Sequence, residues 1–122
     1  MSDLTETVDT YLAGLNEADP DRRGDLIERA WTTDCLYVDP GHEARGRRAI
    51  GALAAGVQEQ LPGHRFRRTS DVDGHHGRAR FGWELVGPDG VVAVAGIDVV
   101  ELHGDGRLRR VTGFFGDLAA AT

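Results

Sequence analysis

Three glycine-rich turns divide the second half of the chain into long segments that are rich in β-branched and aromatic residues. The turns are Gly74-His75-His76-Gly77, Gly87-Pro88-Asp89-Gly90 and Gly104-Asp105-Gly106. Glycine and aspartate permit the backbone conformations of tight hairpins. The pattern therefore predicts an antiparallel meander of four strands, over residues 64–73, 78–86, 91–103 and 107–116.

Two helical patterns open the chain. Apolar residues recur at helical spacing over residues 4–18, and Asp3 with Glu6 forms a capping-box pattern at their start. Aspartate caps helices well and proline suits a first helical turn, so Asp19-Pro20 predicts the start of a second helix. The buried stripe expected for it is Arg23, Leu26, Ile27, Ala30 and Trp31.

A short β-rich run separates the second helix from a third. We interpret residues 32–34 as a turn and Cys35 to Asp39 as a strand that Pro40-Gly41 closes. His42 and Glu43 are expected in the loop after Asp39, and two interpretations stay open for them: a solvated loop or the rim of the pocket mouth. A third helix is predicted from about residue 47 to residue 61, because apolar residues again recur at helical spacing there.

Helices followed by a strand meander predict one α+β domain over residues 1–122. The three N-terminal helices would pack in the concave face of a curved, mainly antiparallel sheet and form a cone-shaped α+β barrel. The open end of such a cone is a natural place for a small-molecule site.

Composition restricts the partners and the location. The net charge is −6, and all 14 basic residues are arginines that are interleaved with acids. A nucleic-acid footprint needs net positive charge or one dense basic patch, so no nucleic-acid partner is predicted. No apolar run approaches the length of a membrane span, no signal-peptide pattern is seen, and the single Cys35 excludes an internal disulfide. We expect a cytoplasmic protein without a membrane partner.

Asp98 is the residue that fits its surroundings least. It lies in the middle of the 91–103 strand, whose two faces are otherwise apolar, so we expect a central strand that is buried on both faces. An ionised carboxylate that is buried without partners is strongly disfavoured. Two interpretations remain open: a structural ion pair with an arginine such as Arg80, or a carboxyl group in a pocket.

Asp39 and Tyr11 each allow two interpretations, one structural and one functional. Strand alternation places Cys35, Tyr37 and Asp39 on one side, whereas Asp-Pro-Gly is also a common turn sequence. Tyr11 lies on the buried stripe of the first helix, where a tyrosine is either a core residue or part of a site. Spacing alone does not separate these readings.

Taken together, these residues carry a family resemblance. Over nearly its whole length the chain resembles the SnoaL-like branch of the nuclear transport factor 2-like superfamily, and its pocket arrangement is similar to that of steroid Δ5-3-ketoisomerases. The matching stretches are Tyr11-Leu12-Ala13-Gly14-Leu15-Asn16, Asp39-Pro40, Ile97-Asp98 and Phe114-Phe115-Gly116.

The resemblance implies a role for each of three catalytic residues. Asp39 would remove a proton next to a carbonyl group, while Tyr11 and a protonated Asp98 would donate hydrogen bonds to the enolate oxygen. Ketosteroid isomerase is a known example of this division of labour between carboxyl groups. The resemblance also implies a homodimer formed through the outer sheet face, where Val91 and Val99 are expected.

The predicted ligand is a small apolar carbonyl compound, and the chemistry covers double-bond isomerisation and polyketide cyclisation. The side chains predicted to bind it are Trp31, Tyr37, His64, Phe66, Phe81, Trp83 and Phe114. Three alternatives stay open: an epoxide hydrolase using Asp98 and Arg80, a dehydratase using His64, and a non-catalytic binding or dimerisation module. No cofactor or metal is predicted, since His75-His76 lacks a third ligand in sequence.

Overall fold

The computed structural model describes residues 4–122, so Asp3, the predicted cap of the first helix, lies outside the described residues. Within them the chain forms three helices: α1 (Leu4–Asn16), α2 (Pro20–Ala30) and α3 (Arg47–Gln60). The strands are β1 (Trp31–Asp39), β2 (His42–Arg45), β3 (Arg65–Arg68), β4 (Asp73–His75), β5 (Arg78–Val86), β6 (Val92–Leu102) and β7 (Leu108–Phe115). None of these helices is long and apolar enough to cross a membrane.

The strands form one sheet in the order β2-β1-β7-β6-β5-β3, with β4 paired to the other end of β5. Every pairing is antiparallel except that of β1 with β7, which is parallel. The predicted α+β fold, with three helices against a curved and mainly antiparallel sheet, is therefore confirmed. The parallel pair matters for the site because it brings β1 beside the last strand.

Strand β6 lies inside the sheet, as its apolar pattern predicts, between β5 and β7. Its burial alternates: Asp98 and Val100 are buried toward the helices, while Ile97 remains 47% exposed and Val99 40% exposed on the outer face. The expectation of a strand buried on both faces is thus not met within one chain. The outer face of the sheet is an exposed apolar surface.

Side-chain hydrogen bonds fix the ends of the helices. The Asp19 side chain accepts from Arg22 N over 2.9 Å, which is the predicted cap of α2. At the C-terminal end of α1, the Asn16 side-chain amide donates to Phe66 O and accepts from Phe66 N, each over 2.8 Å. Gln58 Nε2 donates to the carbonyl of Leu15 over 2.9 Å. These bonds tie α1 to β3 and α3 around the open end of the sheet.

The segment between α2 and α3 differs from the prediction in two places. Residues 32–34 are not a turn, because β1 begins at Trp31 immediately after α2. His42 and Glu43 are not in a loop, because β2 pairs with β1 through a turn at Pro40-Gly41. The threonines at 32 and 33 favour extended backbone, and pairing of β1 with the distant β7 extends the strand.

The predicted strand over residues 64–73 is two strands. β3 pairs with residues 83–86 of β5, and β4 pairs with residues 78–80. Between them the chain leaves the sheet, and Ser70 Oγ accepts a 2.8 Å hydrogen bond from Gly82 N in place of a backbone partner. The polar residues 69–71 are therefore a break in the edge of the sheet.

Candidate active site

A cavity of about 350 Å³ lies between α3 and the concave face of the sheet. This volume is near the lower end of the range for ligand pockets, roughly 300–1,000 Å³. The lining is mostly apolar, and besides the indole of Trp83 four of its side chains carry polar groups: Tyr37, Asp39, His42 and Gln60. The remaining lining residues are Leu15, Ala52, Leu53, Gly56, Val57, Leu61, Phe66, Trp83, Leu85, Val94 and Phe115.

Asp39 is the centre of a polar cluster at one end of the cavity. Tyr37 lies two residues earlier on β1, hence on the same side, and its hydroxyl donates to Asp39 Oδ2 over 2.5 Å. Gly41 N donates to Asp39 Oδ1 over 2.8 Å, and His42 Nδ1 lies 3.0 Å from the same oxygen. Burial and the bond to Asp39 raise the pKa of Tyr37, so its hydroxyl keeps its proton and acts as a donor.

Asp98 is the centre of a second, fully enclosed cluster. Its residue is 2% exposed, and Tyr11 Oη donates to Asp98 Oδ2 over 2.9 Å. Burial raises the pKa of the Asp98 carboxyl to about 7, against the opposing effects of the Tyr11 bond and the nearby Trp83 indole. Burial also raises the pKa of Tyr11 well above its ordinary value. Asp98 is therefore a carboxyl that keeps its proton up to about neutral pH, where it begins to ionise.

Two polar atoms of this cluster lack a regular hydrogen bond among the described residues. Asp98 Oδ1 and Trp83 Nε1 are both buried and unpaired, although the indole lies close enough to influence the carboxyl. Asp98 has no arginine partner either, because Arg80 Nε bonds Asp73 Oδ2 over 2.9 Å with both side chains exposed. The structural interpretation of Asp98 as an ion-pair partner of Arg80 is therefore wrong.

Gly113 on β7 lies where the two clusters meet. It is the cross-strand partner of Asp98, and its neighbour Thr112 pairs with Val38 of β1. A Cβ atom on Gly113 would lie 3.0 Å from Asp98 Oδ1, 3.3 Å from Asp39 Cβ and 3.5 Å from Tyr37 Oη. Glycine therefore lets Asp98, Asp39 and Tyr37 approach one backbone position closely, and any larger residue would press on Asp98 and Asp39.

The residues predicted to bind a ligand fall into two groups. Tyr37, Phe66 and Trp83 line the cavity together with Asp39. The others do not line it. Trp31 and Phe81 are core residues that pack edge-on against the Tyr11 ring, with ring centroids 5.3 Å and 6.4 Å away. His64 lies outside the wall with Nδ1 3.2 Å from Pro62 O, and Phe114 is 57% exposed on the outer sheet face.

The two residues predicted to stabilise an enolate, Tyr11 and Asp98, also lie behind the cavity wall. They bond to each other, and neither is among the lining residues. Trp83 and Tyr37, which do line the cavity, both lie beside Asp98. The structure thus brings Tyr11 together with Asp98, and Asp39 together with Tyr37, in adjacent clusters.

Several lining residues were missed by sequence reasoning. His42 faces Asp39 across the β1–β2 turn, and Phe115 rather than Phe114 lines the cavity. The Pro40-Gly41 pair is a two-residue hairpin signal, and it could have placed His42 opposite Asp39. No local signal separates the α3 residues that line the cavity from those that fill a core.

Other reactive side chains lie away from this site. No group of three or more His, Cys, Asp or Glu between residues 4 and 122 is arranged to hold a metal ion. Cys35 is buried, and burial raises the pKa of its thiol, which disfavours the reactive thiolate.

Comparisons with known proteins agree with the fold. The sequence model of the SnoaL-like domain matches residues 8–111. A crystal structure from Agrobacterium tumefaciens str. C58, provisionally described as an isomerase of the SnoaL-like family, is 39% identical, with 91% of this chain and 95% of that chain covered and a TM-score of 0.86. A search of curated protein sequences gives no significant match.

Two further crystal structures are similar in fold alone. One, provisionally described as a polyketide cyclase from Sinorhizobium meliloti, is 16% identical with a TM-score of 0.69, and 88% of this chain and 93% of that chain are covered. The other is a Catenulispora acidiphila protein with a ketosteroid isomerase-like fold in complex with trimethylamine, 15% identical with a TM-score of 0.74 over 91% and 85% of the two chains. By the match over residues 8–111 and the similarity to the Agrobacterium protein, this chain belongs to the SnoaL-like domain family.

Proposed function

We propose that the protein is an enzyme that performs enolate-type acid–base chemistry on a small apolar carbonyl compound, such as double-bond isomerisation or polyketide cyclisation. The observation that carries the proposal is a pair of neighbouring carboxyl groups in unlike environments. Asp39 lines the cavity and accepts hydrogen bonds from the Tyr37 hydroxyl and Gly41 N, with His42 Nδ1 3.0 Å away, whereas Asp98 is buried with a pKa raised to about 7. A carboxyl group that lines a cavity is suited to act as a base, and a buried neutral one to donate a hydrogen bond.

In this proposal the Asp39 cluster supplies the base. A proton leaves the carbon next to the carbonyl group, and the electron pair moves toward the carbonyl oxygen to give an enolate. The negative charge needs donors that are already in place. Tyr11 occupies Asp98 Oδ2 as a donor, so the proton of a neutral Asp98 belongs on Oδ1, the unpaired oxygen beside Gly113. Asp98 would donate a hydrogen bond to the enolate oxygen, supported by Tyr11. This requires the wall formed by Tyr37 and Trp83 to open toward Oδ1 when a ligand binds, because Asp98 does not line the cavity.

The named relatives are compatible with this chemistry. The Agrobacterium protein is provisionally described as an isomerase, and the Sinorhizobium protein, which is similar in fold alone, as a polyketide cyclase. The other enzymatic alternatives have less support. Arg80 bonds Asp73 rather than Asp98, so the Asp-Arg pair expected for an epoxide hydrolase is not formed. His64, the residue expected to act in a dehydratase, does not line the cavity.

A non-catalytic binding module is the second candidate. It is favoured by one observation: Tyr11 and Asp98 bond to each other behind the wall, and neither lines the cavity. Such a module would use the apolar cavity to hold a ligand without transferring a proton.

Deuterium exchange separates the two candidates. The probe is 2-tetralone, a two-ring ketone with acidic hydrogens next to its carbonyl, followed by proton NMR in deuterated buffer. We expect the wild type to accelerate loss of the α-proton signal, and Asp39→Asn to lose most of that acceleration while still binding the ketone. Asp73→Asn is the matched control, since Asp73 lies on the exposed sheet edge. Binding without exchange in the wild type would favour the module.

We also propose that two copies of the chain associate through the outer sheet face. Ile97 and Phe114 are cross-strand partners on adjacent strands, and both side chains are exposed there next to Val99. Neighbouring apolar side chains of this kind are typical of protein interfaces. The same face is predicted by the apolar pattern of the 91–103 strand.

A further inference from the structure

We propose that His42 is the group that removes the ligand's proton, with Asp39 as its positioning residue. This inference rests on the proposed function and assigns the base within it. His42 lines the cavity, although the sequence pattern predicts a loop at this position.

The geometry is that of a histidine held by a carboxylate. His42 and Asp39 are cross-strand partners at the tight β1–β2 turn, and Nδ1 lies 3.0 Å from Oδ1 and 3.3 Å from Oδ2 of Asp39. If Nδ1 carries the proton and donates it to the carboxylate, Nε2 has a free lone pair. A carboxylate that fixes the tautomer and orientation of a histidine base in this way is well known in hydrolases.

Asp39 is the less suitable proton acceptor of the two. Its side chain is 6% exposed, and both oxygens are engaged by Tyr37, Gly41 N and His42. Each of these contacts occupies a lone pair of the carboxyl group that would otherwise be available to a ligand's proton. The side chain of His42 is 51% exposed and lines the cavity, so its ring is accessible to a ligand and to solvent.

The proton transfer balances within the pair. The C–H bond next to the carbonyl breaks, an N–H bond forms at Nε2, and the electron pair becomes the enolate. The carboxylate of Asp39 stabilises the imidazolium that results. Return of the proton to the same carbon gives exchange, and return to a conjugated carbon moves the double bond. The exposed edge of the ring lets its proton exchange with deuterated solvent.

Few other titratable groups face His42. Among the cavity-lining side chains of the described chain, Tyr37 and Asp39 of β1 are the other titratable ones. α3, which packs against β2, contributes Ala52, Leu53, Gly56, Val57 and Gln60 to the lining and no charged side chain. Asp98 of β6 lies behind the wall next to the Asp39 cluster. Among the lining side chains of residues 4–122, Tyr37, Asp39 and His42 are therefore the groups that could exchange a proton with a ligand.

The test compares His42→Gln with His103→Gln in the 2-tetralone exchange assay. His103 is the matched control, because it also pairs with an aspartate, Asp105 at 3.3 Å, but on an exposed turn. We expect His42→Gln to lose about 100-fold or more in exchange rate, as is typical for a general base, with ketone binding retained, and His103→Gln to match the wild type.

A second measurement reads the tautomer without any activity. Nitrogen-15 NMR of the histidine rings should show neutral His42 protonated on Nδ1, and Asp39→Asn should change that pattern. A His42 protonated on Nε2 would overturn the assignment, and so would His42→Gln exchanging as fast as the wild type. If the wild type binds 2-tetralone and catalyses no exchange, the proposed function fails and the role of His42 fails with it.

Discussion

Tyr11 Oη donates a 2.9 Å hydrogen bond to Asp98 Oδ2, and this bond joins the first helix to the central strand across the interior of the sheet. None of the ion pairs within residues 4–122 includes Asp98. The hydrogen-bond partner of Asp98 is therefore a neutral hydroxyl, whereas an ionised carboxylate at a buried position would need a cationic partner. The Asp98 carboxyl, with a pKa raised to about 7, is protonated at mildly acidic pH.

Replacing Tyr11 by Phe removes the donor to Asp98. Since this bond lowers the pKa of Asp98, we expect the carboxyl to titrate at higher pH in the variant. Loss of a buried partner should also reduce the free energy of unfolding by about 1–3 kcal/mol. Carbon-13 NMR titration of the carboxyl and urea unfolding measure the two effects. Tyr37→Phe is the control, because that hydroxyl bonds Asp39. An unchanged Asp98 titration in Tyr11→Phe would contradict the assigned bond.

Asp98 should make folding stability depend on pH. Its pKa in the folded protein is about 7, above the ordinary 3.8, so the folded state binds a proton that the unfolded state releases between these values. The free energy of unfolding contributed by this group is therefore highest below about pH 4 and falls until about pH 7. Urea unfolding at pH 5 and pH 8 should show the wild type losing more stability than Asp98→Asn. Equal losses in both proteins would show that Asp98 does not titrate in this range.

Gly113→Ala should disturb both carboxyl clusters at once. The added Cβ would lie 3.0 Å from Asp98 Oδ1 and 3.3 Å from Asp39 Cβ. We expect a loss of about 1–3 kcal/mol in the free energy of unfolding, the usual effect of overpacking. Gly24→Ala is a control for which we expect the opposite change in stability, because Gly24 is in helix α2 and no atom lies within 4 Å of its added Cβ. Alanine there should stabilise by about 1 kcal/mol. Chemical denaturation measures both, and a neutral Gly113→Ala would mean that the clusters lie further apart.

Association through the outer sheet face should depend on Ile97. A glutamate at this position places a charge among exposed apolar side chains next to Phe114. Light scattering at micromolar concentration should show a dimer for the wild type and a monomer for Ile97→Glu. Leu118→Glu is the control, since Leu118 is 99% exposed in the tail and off the sheet. A wild-type monomer would count against the interface.

Local sequence patterns predicted much of the fold because they report on local geometry. Helical spacing identifies the buried face of α1, and glycine-rich turns mark the ends of β5, β6 and β7. Alternation also places Tyr37 and Asp39 on one side of β1, and the structure joins them by a hydrogen bond. These features need no knowledge of distant partners.

The parts of the site that sequence did not reveal depend on long-range pairing. Gly113 reaches Asp39 only because β7 runs parallel to β1, and no local pattern indicates that register. The same register decides that Phe115 lines the cavity while Phe114 faces outward. Trp31 and Phe81 fill the core around Tyr11 rather than a cavity wall. This placement likewise depends on how the helices pack on the sheet.

The most direct test of the account is the rate of α-proton exchange of 2-tetralone by wild type and by two Asp98 variants. If a protonated Asp98 donates to the enolate oxygen, Asp98→Leu should lose about 3 kcal/mol of barrier stabilisation, a factor of hundreds in rate. Asp98→Asn keeps an N–H donor of similar size and should lose less. The exchange rate should therefore be highest in the wild type, lower in Asp98→Asn and lowest in Asp98→Leu. It is contradicted if Asp98→Leu folds, binds the ketone and exchanges its protons as fast as the wild type.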